Sequence, residues 1–262
     1  MRLIASDLDG TLLLNKEKNI HRLTELAIEK ILNKDIVFCV ASGRNYSELK
    51  RLLSAFSDRI YFIANDGALI VHKGKSIYET PIKKEHMKLF SKEDNIVAHG
   101  KYVSYVKSKS ERFIRQVKEQ YFGHILATDS ITDINEPIYK ITLYDTTNQE
   151  FDLDRVYYKN SMYEYAEKGI NKGKALSHLL EILKLSEKDA VAIGDNINDI
   201  EMLKSVGKSY VISNAPPKVK KFGTYIVDEF KDAVENMMEE WKNECKRFWK
   251  NPQKWQNRQI KG

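Results

Sequence analysis

Short apolar runs separated by stretches in which apolar residues recur every three or four positions make up the N-terminal part of the chain, the pattern of strands joined by helices. Leu3-Ile4-Ala5 predicts a buried strand, Ile36-Val37-Phe38-Cys39-Val40 a second and Tyr61-Phe62-Ile63-Ala64 a third. Leu23, Ala27, Ile28, Ile31 and Leu32 fall on one stripe of a helix over Ile20–Leu32, and another helix is predicted from about Tyr46 to Phe56. The same texture resumes late, with a helix over Lys174–Leu185, a strand over Ala190–Ile193 and two short strands over Ser209–Ile212 and Thr224–Val227. A closing helix from about Phe230 to Trp249 would place Val234, Met237, Met238 and Trp241 against the core. Strands alternating with crossover helices predict an α/β fold with a parallel sheet.

Between Pro81 and Ala166 the pattern changes. Lys101-Tyr102-Val103-Ser104-Tyr105-Val106 and Ile138-Tyr139-Lys140-Ile141-Thr142-Leu143 alternate, as strands with one wet face do. The expectation is a core made of residues 1–80 and 168–241, interrupted by an inserted α+β domain over 81–167. Residues 242–262 form a C-terminal extension.

Composition changes this picture at one end only. The 262 residues carry 43 Lys and Arg against 37 Asp and Glu, a net charge of +6. Lys242, Lys246, Arg247, Lys250, Lys254, Arg258 and Lys261 face only Glu244, so the surplus sits in the extension and the body is neutral. No nucleic-acid partner is therefore expected for the body. The extension, which also holds Trp249 and Trp255, has an unknown partner. No apolar run approaches the roughly 20 residues of a membrane span, and the start shows no signal-peptide anatomy, so a cytoplasmic location is expected. Cys39 and Cys245 offer neither a disulfide framework nor metal-ligand spacing.

Four polar clusters follow strands or open a helix. Asp7-Leu8-Asp9-Gly10-Thr11 places two carboxylates at a strand end, where open α/β sheets bind ligands, with Gly10 leaving amides free to meet an anion. Taken alone it also reads as a turn. Ala41-Ser42-Gly43-Arg44 puts a hydroxyl after the second strand, suited to a phosphoryl oxygen or to a helix N-cap. Lys172-Gly173-Lys174 sets a lysine at the start of a helix, either a phosphate neutraliser or solvated surface. Gly194-Asp195-Asn196-Ile197-Asn198-Asp199 masses acids and amides into a hard-oxygen site apt for Mg²⁺.

Together the four clusters resemble the motifs of the haloacid dehalogenase superfamily, and their spacing is similar to that of its Cof-type branch, whose cap domain lies between the second and third motifs. The likeness covers about residues 2–80 and 168–230, and Glu136-Pro137-Ile138-Tyr139-Lys140 supports it within the cap. It implies a Rossmann-like core with an inserted α+β cap, and a phosphatase of small phosphorylated metabolites working through an aspartyl-phosphate. Asp7 is then the nucleophile and Asp9 the acid and base. Mg²⁺ falls to Asp7, the Asp9 backbone carbonyl and Asp195, with Asp199 as ligand or support, and Gly10, Ser42, Gly43, Lys172 and Asn198 are left for the phosphoryl group, Asn198 either touching it or orienting Lys172. An acid two residues after the nucleophile favours a phosphatase or a phosphomutase over a dehalogenase, because a halide leaves unprotonated.

One departure stands out: Asn65-Asp66-Gly67-Ala68 has Asp66 where relatives commonly carry Asn. Asp66 is a turn former or a substrate contact, and in the crevice its charge would disfavour a second anion. Arg44 and Lys140 are the other candidate substrate contacts, with His99, Lys101, Tyr102 and Tyr163 as further polar positions in the cap. The competing readings are a phosphomutase using the same nucleophile, and a tethering protein that acts through its basic tail. The chain is expected to be a monomer or a homodimer.

Overall fold

The computed structural model describes residues 1–14, 19–120, 123–145, 150–159 and 161–249. It builds two sheets. Eight strands form the first: β1 (Leu3–Asp7), β2 (Val37–Ala41), β3 (Tyr61–Ala64), β4 (Leu69–His72), β5 (Lys75–Glu79), β12 (Ala190–Gly194), β13 (Lys208–Ile212) and β14 (Tyr225–Val227). The second contains β6 (Ile96–His99), β7 (Val103–Lys107), β8 (His124–Ala127), β9 (Lys140–Leu143), β10 (Asp154–Lys159) and β11 (Met162–Ala166).

In the first sheet the order is β14-β13-β12-β1-β2-β3-β4-β5. From β14 to β3 all neighbours are parallel. The anticipated parallel sheet is extended by an antiparallel hairpin, β4–β5, whose turn residues Lys73 and Gly74 both have positive φ. β1 and β12 are buried along their whole length, since helices cover both faces of the sheet. On one face Ile4, Phe38, Val40 and Phe62 pack with Ile28, Leu49 and Met237; on the other Leu3, Ala5, Cys39 and Ile63 pack with Leu176 and Leu179. Each fully buried side chain of this size contributes about 1.5–3 kcal/mol.

The order also fixes where a ligand fits. The chain leaves β1 toward β2 and β3, then returns to the other side of β1 as β12, so the strand order reverses between β1 and β12. Helices leave on opposite sides there, which opens a crevice at the carboxyl ends of those two strands.

Two element boundaries differ from expectation with consequences. The helix anticipated from Lys174 begins at Lys172 and ends at Ile182, because Asn171 caps it by accepting from the Lys174 backbone N–H at 2.8 Å. The helix expected to reach Phe56 stops at Leu52 and is followed by a single tight turn, Ser54–Phe56. The closing helix spans Phe230–Trp249 as expected, with Val234, Met237 and Met238 in the core and Lys34 stacked over the Trp241 ring. No helix among the described residues is long and apolar enough to cross a membrane. Trp255 and residues 250–262, on which the tethering reading rests, lie outside the described residues.

Candidate active site

Asp7 ends β1, and Asp195 and Asp199 follow β12, so the strand-order reversal brings them together. One carboxylate oxygen from each of the three lies within 4.8 Å of the others. Lys172 in the first turn of its helix is buried between them, donating to Asp7 Oδ1 at 2.6 Å and to Asp199 Oδ1 at 2.7 Å. The solvated-surface reading of this lysine falls on that geometry. Burial alone would lower its pKa, but Asp199 and Asp7 outweigh the desolvation and hold it above the ordinary lysine value.

The acids feel the reverse balance. Burial, with Asp199 next, pushes the Asp7 carboxyl well up, and Lys172 pulls it only partly back. Burial and Asp199 likewise raise Asp195 to about 6. Carboxylates held together at this cost, with hard oxygen donors only, suit a small divalent cation. The backbone makes the same statement at Gly10: its φ is +98°, and a Cβ there would run into the Asp195 carboxylate. Thr11 donates to Asp195 Oδ1 at 3.0 Å and orients it.

Asp199 stands behind this group. Its Oδ1 is taken by Lys172, and its Oδ2 accepts the backbone N–H groups of Asp195 and Asn196 at 3.0 and 2.9 Å. These bonds tie the loop that carries Asp195 to Asp199 and to Lys172.

Asp9 points elsewhere. Its side chain is half exposed, and both oxygens accept from Arg44, from Nε at 2.9 Å and Nη2 at 2.6 Å. Arg44, expected among the substrate contacts, is thus committed to Asp9 by a two-point contact that fixes the carboxylate in plane. Ser42 does not cap a helix, since Asn45 accepts from the Glu48 backbone N–H and does so; Ser42 is buried at the end of β2 and accepts from the Arg44 backbone N–H at 3.2 Å.

The Asp66 carboxylate faces the crevice rather than merely turning the chain. It is buried at φ +57° and receives Asn198 Nδ2 on Oδ1 and Lys140 Nζ on Oδ2, both at 3.2 Å. Of the two roles expected of Asn198, orienting Lys172 is not what the geometry shows: its amide turns to Asp66. Lys140 leaves β9 of the second sheet and also donates to the Gly43 carbonyl at 2.6 Å and to Glu164 at 2.8 Å. Burial would lower its pKa, but Glu164 and Asp66 raise it instead.

Of the other cap positions, His99 is buried in the sheet between Ser104 and Thr142 and lines the crevice, and burial holds its pKa well below the ordinary value. Lys101 and Tyr102 donate to the Gly74 carbonyl outside the crevice, and Tyr163 packs in the apolar layer of the second sheet. Glu48 and Glu164 were missed because each is an isolated acid in an amphipathic segment, with no local signal. The cleft these residues line has a volume of about 440 Å³.

A family model described as haloacid dehalogenase-like hydrolase matches residues 4–238. Over 245 residues the chain is 26% identical to 5-amino-6-(5-phospho-D-ribitylamino)uracil phosphatase of Escherichia coli K12, covering 86% of this chain and 90% of that one. It is 27% identical over 243 residues to an HMP-PP phosphatase of Escherichia coli strain 55989, covering 84% and 86%. Among solved structures, a haloacid dehalogenase-like hydrolase from Bacteroides thetaiotaomicron superposes with a TM-score of 0.75 at 23% identity, over 90% of this chain and 99% of that one. The HAD subclass IIB sugar phosphatase BT4131 does so with a TM-score of 0.76 at 19% identity, over the same shares.

Proposed function

The chain belongs to the haloacid dehalogenase-like hydrolases and is a phosphatase, and from that premise we propose that it hydrolyses small phosphomonoesters with Mg²⁺ through an aspartyl-phosphate on Asp7. The observation that carries this reading is the buried Asp7 carboxylate at the end of β1, 2.6 Å from Lys172 and grouped with Asp195. Asp7, the Asp9 backbone carbonyl and Asp195 are the residues that would hold Mg²⁺, whose charge offsets the repulsion between a carboxylate and a phosphoryl group.

Asp7 attacks phosphorus in line, and the bond to the leaving oxygen breaks as the new one forms. Lys172 is held by two acids and places one positive charge beside the transferring group. Ser42 and the amide of Gly43 offer donors to its oxygens, whereas the Gly10 N–H expected to join them is taken by the Leu13 carbonyl at 2.9 Å. Asp9 gives a proton to the leaving alcohol and then takes one from the water that cleaves the acyl phosphate. Since both of its oxygens rest on Arg44, one must come off the guanidinium and take up a proton from solvent first, and its half-exposed position leaves room for that rotation. Residues 81–167 act as a cap that covers the leaving group and excludes water.

Purified protein should release phosphate from sugar phosphates and from p-nitrophenyl phosphate, and stop with chelator or with Asp7→Asn. Undiminished release by that variant overturns the proposal.

A further inference from the structure

Among the described residues, every cation that lines the crevice is matched by two carboxylates. Lys172 is bound by Asp7 and Asp199. Arg44 is bound by Asp9 and, at 3.5 Å, by Glu48. Lys140 is bound by Asp66 and Glu164, with side chains only 4%, 4% and 12% exposed, so little water screens this group. His99, the remaining basic side chain in the lining, is kept neutral by burial and by Lys140 beside it.

The three groups divide by task. Asp7, Lys172, Asp199 and Asp195 serve the phosphoryl group and its cation. The other two, Arg44 with Asp9 and Glu48, and Lys140 with Asp66 and Glu164, line the remainder of the cleft. By formal charge the Lys140 group has one carboxylate in excess, and so has the Arg44 group until Asp9 takes up the proton it delivers. We propose that this second compartment selects the leaving group by charge: it takes neutral polyhydroxylated or amine-bearing alcohols and rejects alcohols that carry a carboxylate or a second phosphate. The inference rests on the phosphatase reading and adds the substrate class to it.

Among the described residues, an anionic leaving group entering this space meets the net negative Lys140 group and finds no cation that is not already paired with carboxylates. To bind, it must pull Lys140 from Asp66 or Glu164, stranding a buried carboxylate. A hydroxyl fits at no such cost, since the carboxylates accept from it, and an ammonium is attracted. Asp66 is central, because Asn at this position would make the Lys140 group neutral. The same charge disfavours a bisphosphate in the cleft, which sets the phosphomutase reading at a disadvantage.

The test is competition against p-nitrophenyl phosphate hydrolysis at fixed Mg²⁺ and neutral pH by three matched esters: glucose 6-phosphate, glucosamine 6-phosphate and 6-phosphogluconate. Competition counts weak substrates as well as good ones. The expected result is that 6-phosphogluconate competes at least about tenfold more weakly than glucose 6-phosphate, and glucosamine 6-phosphate at least as well as glucose 6-phosphate. Asp66→Asn, which tolerates the positive φ, and Glu164→Gln should each narrow the gap about threefold or more. Equal or stronger competition by 6-phosphogluconate, or none by the neutral and amino esters, overturns the charge selection while p-nitrophenyl phosphate turnover keeps the phosphatase reading. No turnover of p-nitrophenyl phosphate overturns both.

Discussion

Lys140 Nζ donates to Asp66 Oδ2 at 3.2 Å across 74 residues of sequence, tying a strand of the second sheet to the loop after β3. Both side chains are buried, and Glu164 completes the group. Lys140→Met therefore leaves two buried carboxylates without a cation, which costs about 3–5 kcal/mol. The expected readout is a fall in Tm on the order of 10 °C. Adding Glu164→Leu should recover part of it, and a Tm within about 1 °C of the parent in the single variant would show that the pair is not coupled to folding.

Asp9 is separable from Asp7 by leaving group. An alkyl alcohol needs a proton as it departs, whereas p-nitrophenolate does not. Asp9→Asn should lower phosphate release from sugar phosphates by about 10²–10⁴-fold and from p-nitrophenyl phosphate far less. Equal losses on both would place Asp9 outside acid-base work.

The acids around the cation site set a pH dependence with a defined sign. Asp195 is raised from an ordinary 3.8 to about 6, so between those values the folded chain holds a proton that the unfolded chain has lost. With chelator present, this group's contribution to stability is full below about pH 4 and lost as pH rises through 6. Mg²⁺ competes with that proton, so the rise in Tm on adding Mg²⁺ should be larger near neutral pH than near pH 5. Thermal melts with and without Mg²⁺ across that range check it, and a Tm gain that ignores pH would contradict the assignment.

Residues 250–262 of the extension are expected to be dispensable for catalysis. Every residue assigned to the site precedes Glu201, so a chain ending at Trp249 should release phosphate at the parent rate. A several-fold change in kcat/KM would assign the extension a part in the site; vesicle or nucleic-acid binding lost on truncation would support a tether in addition to the enzyme.

The four clusters were legible because each is local: a carboxylate pair, a hydroxyl, a lysine and a run of acids and amides, each at a strand end or helix start, and a parallel sheet gathers such ends on one edge. The β4–β5 hairpin carries only a short local signal, Lys73-Gly74 between an apolar run and an alternating one. Helix limits were less legible where a cap outranked the apolar pattern, as Asn171 does for the helix that opens on Lys172.

By itself, then, the sequence determined the α/β class, the place of the crevice and the residue types that do phosphoryl chemistry, since short-range patterning suffices for these. Only the tertiary structure decided which charges meet. That Arg44 rests on Asp9, that Asn198 turns to Asp66 rather than Lys172, and that Lys140 crosses between sheets to reach Asp66 and the Gly43 carbonyl depend on distances between segments far apart in the chain. A buried ion pair is decided by which partner lies within about 3 Å once the core has packed, because desolvation penalises every other arrangement, and no local pattern carries that information.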